Sequence, residues 1–259
     1  MRANTVRLAW EEGRQVVSAW IGIPDPLLAE LFAAQPVDAV IIDLQHGMNG
    51  IESVLAMLQG ITAQNGPTPF VRLSWNDPSD TMKALDGGAL GVICPMIDTA
   101  EQAATFAANC RYFPRGRRSV GPARASLAHG ADYMEKADDE ILALAMIETL
   151  EGLANVDAIA NTPELDGLFM GPGDLARVVT GQFAVDLENP EYRAAVTRIL
   201  EAGHRAGKKV GTYASDTAFG MAMLEMGFDL VTLGADSLIL GRAINRELAE
   251  LRGAHRLKT

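Results

Sequence analysis

Eight short runs of apolar and β-branched residues recur along the 259-residue chain, at 16–22, 38–43, 68–73, 90–97, 142–148, 166–171, 208–214 and 229–235. Each reads as a strand buried on both faces, as parallel strands are. Between them lie segments with helical spacing, among them PLLAELFAA, SVLAMLQGITA and PEYRAAVTRILEAGHRAG. Their starts carry Asp, Thr or Pro and their stops often carry Gly, the residues that open and close helices. Eight strands alternating with helices over this length predict an α/β fold, a (β/α)8 barrel of the TIM type, as one domain over residues 1–259. A doubly wound open sheet is the other arrangement of such elements, but no GxGxxG turn follows the first strand to favour a dinucleotide site.

Composition narrows the partners. With 48% hydrophobic residues and 21% charged, the chain can bury a sizeable core without a disordered tail. Its net charge is -11, and the only basic run is RYFPRGRR at 111–118, which argues against nucleic acid or an anionic membrane and favours a small-molecule ligand. No apolar leader and no membrane-length apolar stretch occur, so the cytoplasm is the expected compartment. Cys94 and Cys110 have no metal-ligand spacing and read as reduced structural thiols.

In a barrel of this kind chemistry gathers at the C-terminal ends of the strands, so the residues there deserve reading in order. The second strand runs into Asp43, Gln45 and His46, the third carries Arg72, the fifth ends on Glu148, and the sixth runs into GPGD and Asp174. Glu148 and Asp174 suit a hard divalent cation such as Mg2+ or Mn2+, or else they pair with nearby arginines. Arg72 on an apolar strand needs an anion, either a substrate oxygen or a buried structural carboxylate. The glycines of GPGD let backbone approach a ligand, and Asp174 is expected to cap the helix that follows; a plain tight turn has the same local sequence. Asp86 ends a predicted helix, where a carboxylate is electrostatically unfavourable without a partner, and His46 is one candidate. A histidine held by an acid is a general base of tunable pKa. His129 in a loop, His204 in an amphipathic helix and His255 in the tail read as surface or structural residues.

The segments DLQHG (43–47), FVRLSWNDPSDTMKALDGGALGVICPM (70–96), YFPRGRRSVGPARA (112–125), AMIET (145–149) and GLFMGPGDLA (167–176) resemble the HpcH/HpaI aldolase family of metal-dependent class II pyruvate aldolases. The combination with SVGPARASL and NDPSDTMK is most similar to members that accept hydroxypyruvate as well as pyruvate. The resemblance implies a divalent metal (Mg2+ or Mn2+, with Co2+ or Zn2+ as alternatives) on Glu148 and Asp174, chelated by the pyruvyl moiety. It implies that Arg72 stabilises the keto oxygen as an enolate forms. His46, paired with Asp86 from the same or a neighbouring subunit, is then the base. It also implies a homohexamer with exchanged C-terminal helices, for which the amphipathic segment 236–253 is the candidate; the alternative is an ordinary eighth barrel helix. Met146 stands two positions before Glu148 where many relatives have glutamine, and Gln45 stands where many carry glutamate.

The reaction implied is cleavage or formation of 4-hydroxy-2-oxo acids from a 2-oxo acid and an aldehyde. Gly173 and Asp174 are expected on the 2-oxo acid side. Trp20, Ser119 in the loop 115–121, and Tyr213 are expected on the aldehyde side, unless Trp20 and Tyr213 only pack the mouth. Schiff-base chemistry needs a desolvated lysine at the catalytic end; Lys83 lies in a helix, and Lys208 and Lys209 begin a strand at the opposite end. Other readings are an oxaloacetate decarboxylase or acyl-CoA lyase, the latter needing Arg115–Arg118 for phosphates, and a non-catalytic carboxylate-binding barrel.

Overall fold

The computed structural model describes residues 1–64 and 66–255. Its strands are β1 (Val16–Ile21), β2 (Ala39–Asp43), β3 (Thr68–Arg72), β4 (Gly91–Cys94), β5 (Leu142–Ile147), β6 (Gly167–Met170), β7 (Lys209–Thr212) and β8 (Leu230–Ala235). They form one closed barrel in sequence order, every neighbouring pair parallel and β1 returning to β8. The expected (β/α)8 architecture is therefore present.

Successive strand side chains point to opposite faces, and here both faces are apolar. Ala39, Ile41, Phe70, Ile93, Leu144 and Phe169 pack inside the barrel. Their neighbours Val40, Ile42, Val71, Val92, Ala145 and Leu168 pack outward against the helices. This double burial is why the strands read as continuous apolar runs. Gly91 is required inside, because a Cβ there would collide with the Phe70 ring.

Helix ends follow the expected chemistry. Prolines open the helices Pro26–Ala33, Pro78–Asp86, Pro172–Thr180 and Pro190–Arg205, and Asp25, Asp77, Thr99 and Asp216 accept backbone N–H groups as caps. The helix Thr5–Glu11 was not anticipated from spacing. It buries Val6, Ala9 and Trp10 against the barrel interior, and the Trp10 indole N–H donates to the Asp229 carbonyl, so it closes the end opposite the strand C-termini. Two further unanticipated helices, Ala123–His129 and Tyr133–Glu140, lie between β4 and β5.

The C-terminal helix Asp236–His255 presents Leu240, Ile244, Leu248 and Leu251 to solvent. Beside it an apolar groove of about 430 Å3, lined by Met221, Leu224, Val231 and Leu233 among others, stays open between β8 and the helix Thr217–Met226. Among the described residues no helix is long and apolar enough to cross a membrane.

Candidate active site

The inward rows of the strands continue past the core into polar residues at one end. Trp20 follows Ser18 on β1, Asp43 follows Ile41 on β2, Arg72 follows Phe70 on β3, and Glu148 follows Met146 beyond β5. These residues line a cavity of about 480 Å3 at the barrel mouth, together with His46, Gly173, Asp174 and Tyr213. Periodicity of two, applied from the core outward, is what aims them all at one space.

Barrel register sets Asp43 directly beside Arg72. The guanidinium Nε and Nη2 donate to the two carboxylate oxygens at 2.8 and 2.5 Å. The Trp20 indole N–H donates to Asp43 Oδ2 at 3.3 Å, and the guanidinium carbon lies 4.6 Å from the Trp20 ring centroid. Asp43 Oδ1 also accepts the backbone N–H groups of Gln45 and His46, which shapes the turn that carries the histidine. Burial raises the Asp43 pKa, but the Arg72 hydrogen bonds and charge outweigh it and hold the carboxyl below its usual value. Arg72 thus combines the two alternatives: it sits in a buried ion pair and still lines the cavity. Asp43 is the cavity-lining residue that sequence reasoning left without a role. The signal was its inward parity with Ile41, readable once strand pairing is known.

Glu148 is 2% exposed. Its Oε1 accepts the Met96 backbone N–H at 2.9 Å, and Met96 adopts a left-handed φ of 55° to deliver it. Burial lifts the Glu148 pKa to about 7; the Met96 hydrogen bond opposes the rise, and the nearby Asp174 charge adds to it. A Cβ at Gly171 would collide with Glu148 Oε2, so glycine is required there. Asp174 is not the cap that the sequence suggested. The helix begins two residues earlier, at Pro172, with Gly171 in the cap position and Asp174 exposed within the first turn. Among the described residues neither Glu148 nor Asp174 makes an ion pair, and no cluster of three or more His, Cys, Asp or Glu side chains is gathered. Two unpaired carboxylates, one of them buried with Oε2 free of hydrogen bonds, match the donor chemistry of a hard cation that takes its remaining ligands from water and substrate.

His46 is exposed at the mouth, and its ring makes no hydrogen bond among the described residues. Asp86 is not its partner within the chain. It ends the helix Pro78–Asp86, outside the cavity, where it is neutralised by Arg118 at 2.7 Å. The Arg118 guanidinium is buried between the rings of Tyr112 and Tyr133, at 4.6 and 5.5 Å from their centroids. Ser119 is exposed beside it and, like the rest of the loop 115–121, does not line this chain's cavity. The position of a loop after a helix was not readable from strand parity. Trp20 and Tyr213 do line the cavity, edge to face at 5.3 Å.

The remaining titratable candidates fall elsewhere. Lys208 donates to the Leu165 carbonyl and Lys209 pairs with Asp229, both at the closed end, while Lys83 lies on the outer helices. His129 is buried at a helix end with Nε2 at 2.8 Å from the Gly88 carbonyl oxygen, rather than in a loop. His204 pairs with Asp229. The side chain of His255 lies outside the described residues.

The HpcH/HpaI aldolase/citrate lyase family model matches residues 17–243. The chain belongs to this family. It is 43% identical to a hydroxypyruvate/pyruvate aldolase of Rhizorhabdus wittichii over 96% of this chain and 99% of that relative. It is 35% identical to a 4-hydroxy-2-oxo-heptane-1,7-dioate aldolase of Salmonella dublin, covering 92% and 91% of the two chains. A crystal structure of an HpcH/HpaI aldolase/citrate lyase family protein from Burkholderia cenocepacia superposes with a TM-score of 0.89 at 31% identity, covering 96% and 99%. The family assignment makes the chain a carbon–carbon lyase.

Proposed function

We propose that this lyase cleaves and forms 4-hydroxy-2-oxo acids, with pyruvate or hydroxypyruvate on one side and an aldehyde on the other. The observation that carries the reading is the unpaired carboxylate couple Glu148 and Asp174 at the mouth, within electrostatic reach of Arg72. A divalent cation held by Glu148 and Asp174, Mg2+ or Mn2+ before Co2+ or Zn2+, would supply positive charge to the carboxylate and keto oxygens of the 2-oxo acid.

The chain's own residues supply the rest. In cleavage, His46 takes the proton of the C4 hydroxyl, the C3–C4 bond breaks, and the aldehyde departs. The electron pair stays on the pyruvyl fragment as an enolate, and the protonated His46 returns its proton to C3. In synthesis the order reverses. Arg72 Nη1 makes no hydrogen bond among the described residues, so it is free to donate to the enolate oxygen while Asp43 fixes the other two nitrogens. Trp20 packs beneath that guanidinium and limits its motion.

The same reading includes the assembly. Asp86 lies outside its own chain's cavity, and the C-terminal helix leaves an apolar row exposed beside an open groove. Both features support a homo-oligomer, a hexamer by family resemblance, in which a second copy brings Asp86 to His46 and helices exchange between copies. Of the Arg115–Arg118 cluster that an acyl-CoA reading needs, Arg115 is engaged by Glu164 and Asp139 and Arg118 by Asp86, while the Arg117 side chain bonds only Asn109 among the described residues.

The test is incubation of the purified protein with pyruvate or hydroxypyruvate and a broad panel of aldehydes, with Mg2+ or Mn2+ and then with EDTA. Adduct formation that requires the cation is expected. Absence of any cation-dependent adduct would reject the aldolase in favour of a decarboxylase, if oxaloacetate is consumed, or of a binding protein, if carboxylates bind without turnover.

A further inference from the structure

Arg72 and Arg118 each hold an aspartate, but in different ways. Asp43 gives both carboxylate oxygens to Arg72, and its side chain is 5% exposed, so that pair is closed. Asp86 gives only Oδ1, to Arg118 Nη2 at 2.7 Å; its carboxylate makes no other hydrogen bond among the described residues, and its side chain is 25% exposed. Arg118 Nε is buried without a partner among them. A fork-to-fork pair like that of Arg72 would satisfy both this donor and the second oxygen, so a salt bridge serving stability alone is left incomplete here.

The guanidinium itself has little freedom. The Arg118 side chain is fully buried between the rings of Tyr112 and Tyr133, and Nη1 and Nη2 both donate to the Tyr133 hydroxyl at 3.1 Å. That hydroxyl donates in turn to the Leu85 carbonyl, one residue before Asp86, so the platform grips the helix end that carries the carboxylate. Arg124 holds the same end again, donating to the Gly87 carbonyl and the Thr62 hydroxyl. A carboxylate at a helix C-terminus meets the negative end of the helix dipole, and the guanidinium offsets that repulsion. Asp86 lines a surface groove of about 380 Å3 with Ile51, Leu55 and Lys83, apart from the chain's own barrel mouth.

We infer that Arg118 is a positioning residue for the aldol reaction: it fixes Asp86 through Oδ1 and leaves Oδ2 to accept the ring N–H of His46 from a second copy. The inference rests on the aldolase reading and on the assembly that brings Asp86 to His46, and it adds the group that holds Asp86 in place. The imidazole so oriented keeps its other nitrogen for the C4 hydroxyl proton. Arg118 touches no reacting atom. Its effect passes through the Asp86 of its own chain to the histidine of another.

The experiment uses two co-expressed mixtures that carry the same three substitutions in different chains. In the first, one copy is Asp86→Asn with Arg118→Met and the other is His46→Ala. In the second, one copy is Asp86→Asn and the other is His46→Ala with Arg118→Met. Only the first contains sites where an intact His46 meets an Asp86 held by Arg118. With pyruvate, an accepted aldehyde and Mn2+, its kcat is expected to be at least about tenfold above that of the second, with KM for pyruvate alike within about twofold. Where the Arg118→Met chain does not assemble, Arg118→Lys, which keeps the charge but not the planar fork, replaces it with the same expected order. A general weakening of fold or assembly burdens both mixtures alike, so equal kcat values overturn the inference. Loss of activity from both, when the parent mixture of Asp86→Asn with His46→Ala is active, overturns it too. An inactive parent mixture beside an active wild type overturns the inference and the second-copy contact while leaving the aldolase reading intact. A wild type without cation-dependent turnover of any aldehyde removes that reading itself.

Discussion

Replacing Glu148 by glutamine in the cation-free protein isolates the cost of burying a carboxylate. The Glu148 pKa rises from 4.5 to about 7 because burial disfavours the anion. At about 1.4 kcal/mol for each tenfold in the ionisation constant, this corresponds to about 3 kcal/mol. The native protein retains a proton that the unfolded chain has lost between those two values, so stability decreases as pH rises through that window. The contribution is fully present below about pH 4.5 and gone above about pH 7. Glutamine keeps the shape and the acceptor for the Met96 N–H but does not titrate. Urea denaturation in EDTA should therefore show similar stabilities for the two proteins near pH 4.5 and a variant about 3 kcal/mol more stable than wild type near pH 8. Parallel stability curves across this range would refute the claim that burial of this carboxylate is what makes the site costly when empty of cation.

Three further outcomes test the site. His46→Ala should abolish aldol turnover while leaving calorimetric Mn2+ affinity within about twofold, since the proposed mechanism makes the ring the proton carrier and it touches neither carboxylate; unaltered turnover would remove it from the mechanism. Asp43→Ala leaves the Arg72 guanidinium buried without its partner, with an expected loss of about 3–5 kcal/mol in urea denaturation and a fall in kcat; a stability change below about 1 kcal/mol would mean that water or Glu148 replaces Asp43. Gly171→Ala pushes a methyl group into Glu148 Oε2 and should weaken Mn2+ binding by at least about tenfold; retained affinity would move the cation away from Glu148.

The assembly and the inward rows divide what each level of description can supply. Strand identity came from local apolar runs and helix ends from single residues such as Pro78, Asp77 and Gly227, all short-range properties of the chain. Those runs also carried the addresses of His46, Arg72, Glu148 and Asp174, because a barrel places every strand end at one mouth. The unanticipated helix Thr5–Glu11 is only seven residues long, and the burial of Val6, Ala9 and Trp10 depends on the open barrel end it covers.

The amino-acid sequence by itself determined the (β/α)8 barrel, the family and the strand ends that line the cavity. Only the tertiary structure decided who touches whom. The parallel register between β2 and β3 gave Asp43 to Arg72. Packing around Tyr112 and Tyr133 gave Arg118 to Asp86 and withdrew Asp86 from its own chain's His46. Burial beside Asp174 gave Glu148 its raised pKa. Pairing and desolvation depend on residues far apart in the chain, and no local pattern encodes the distance between them.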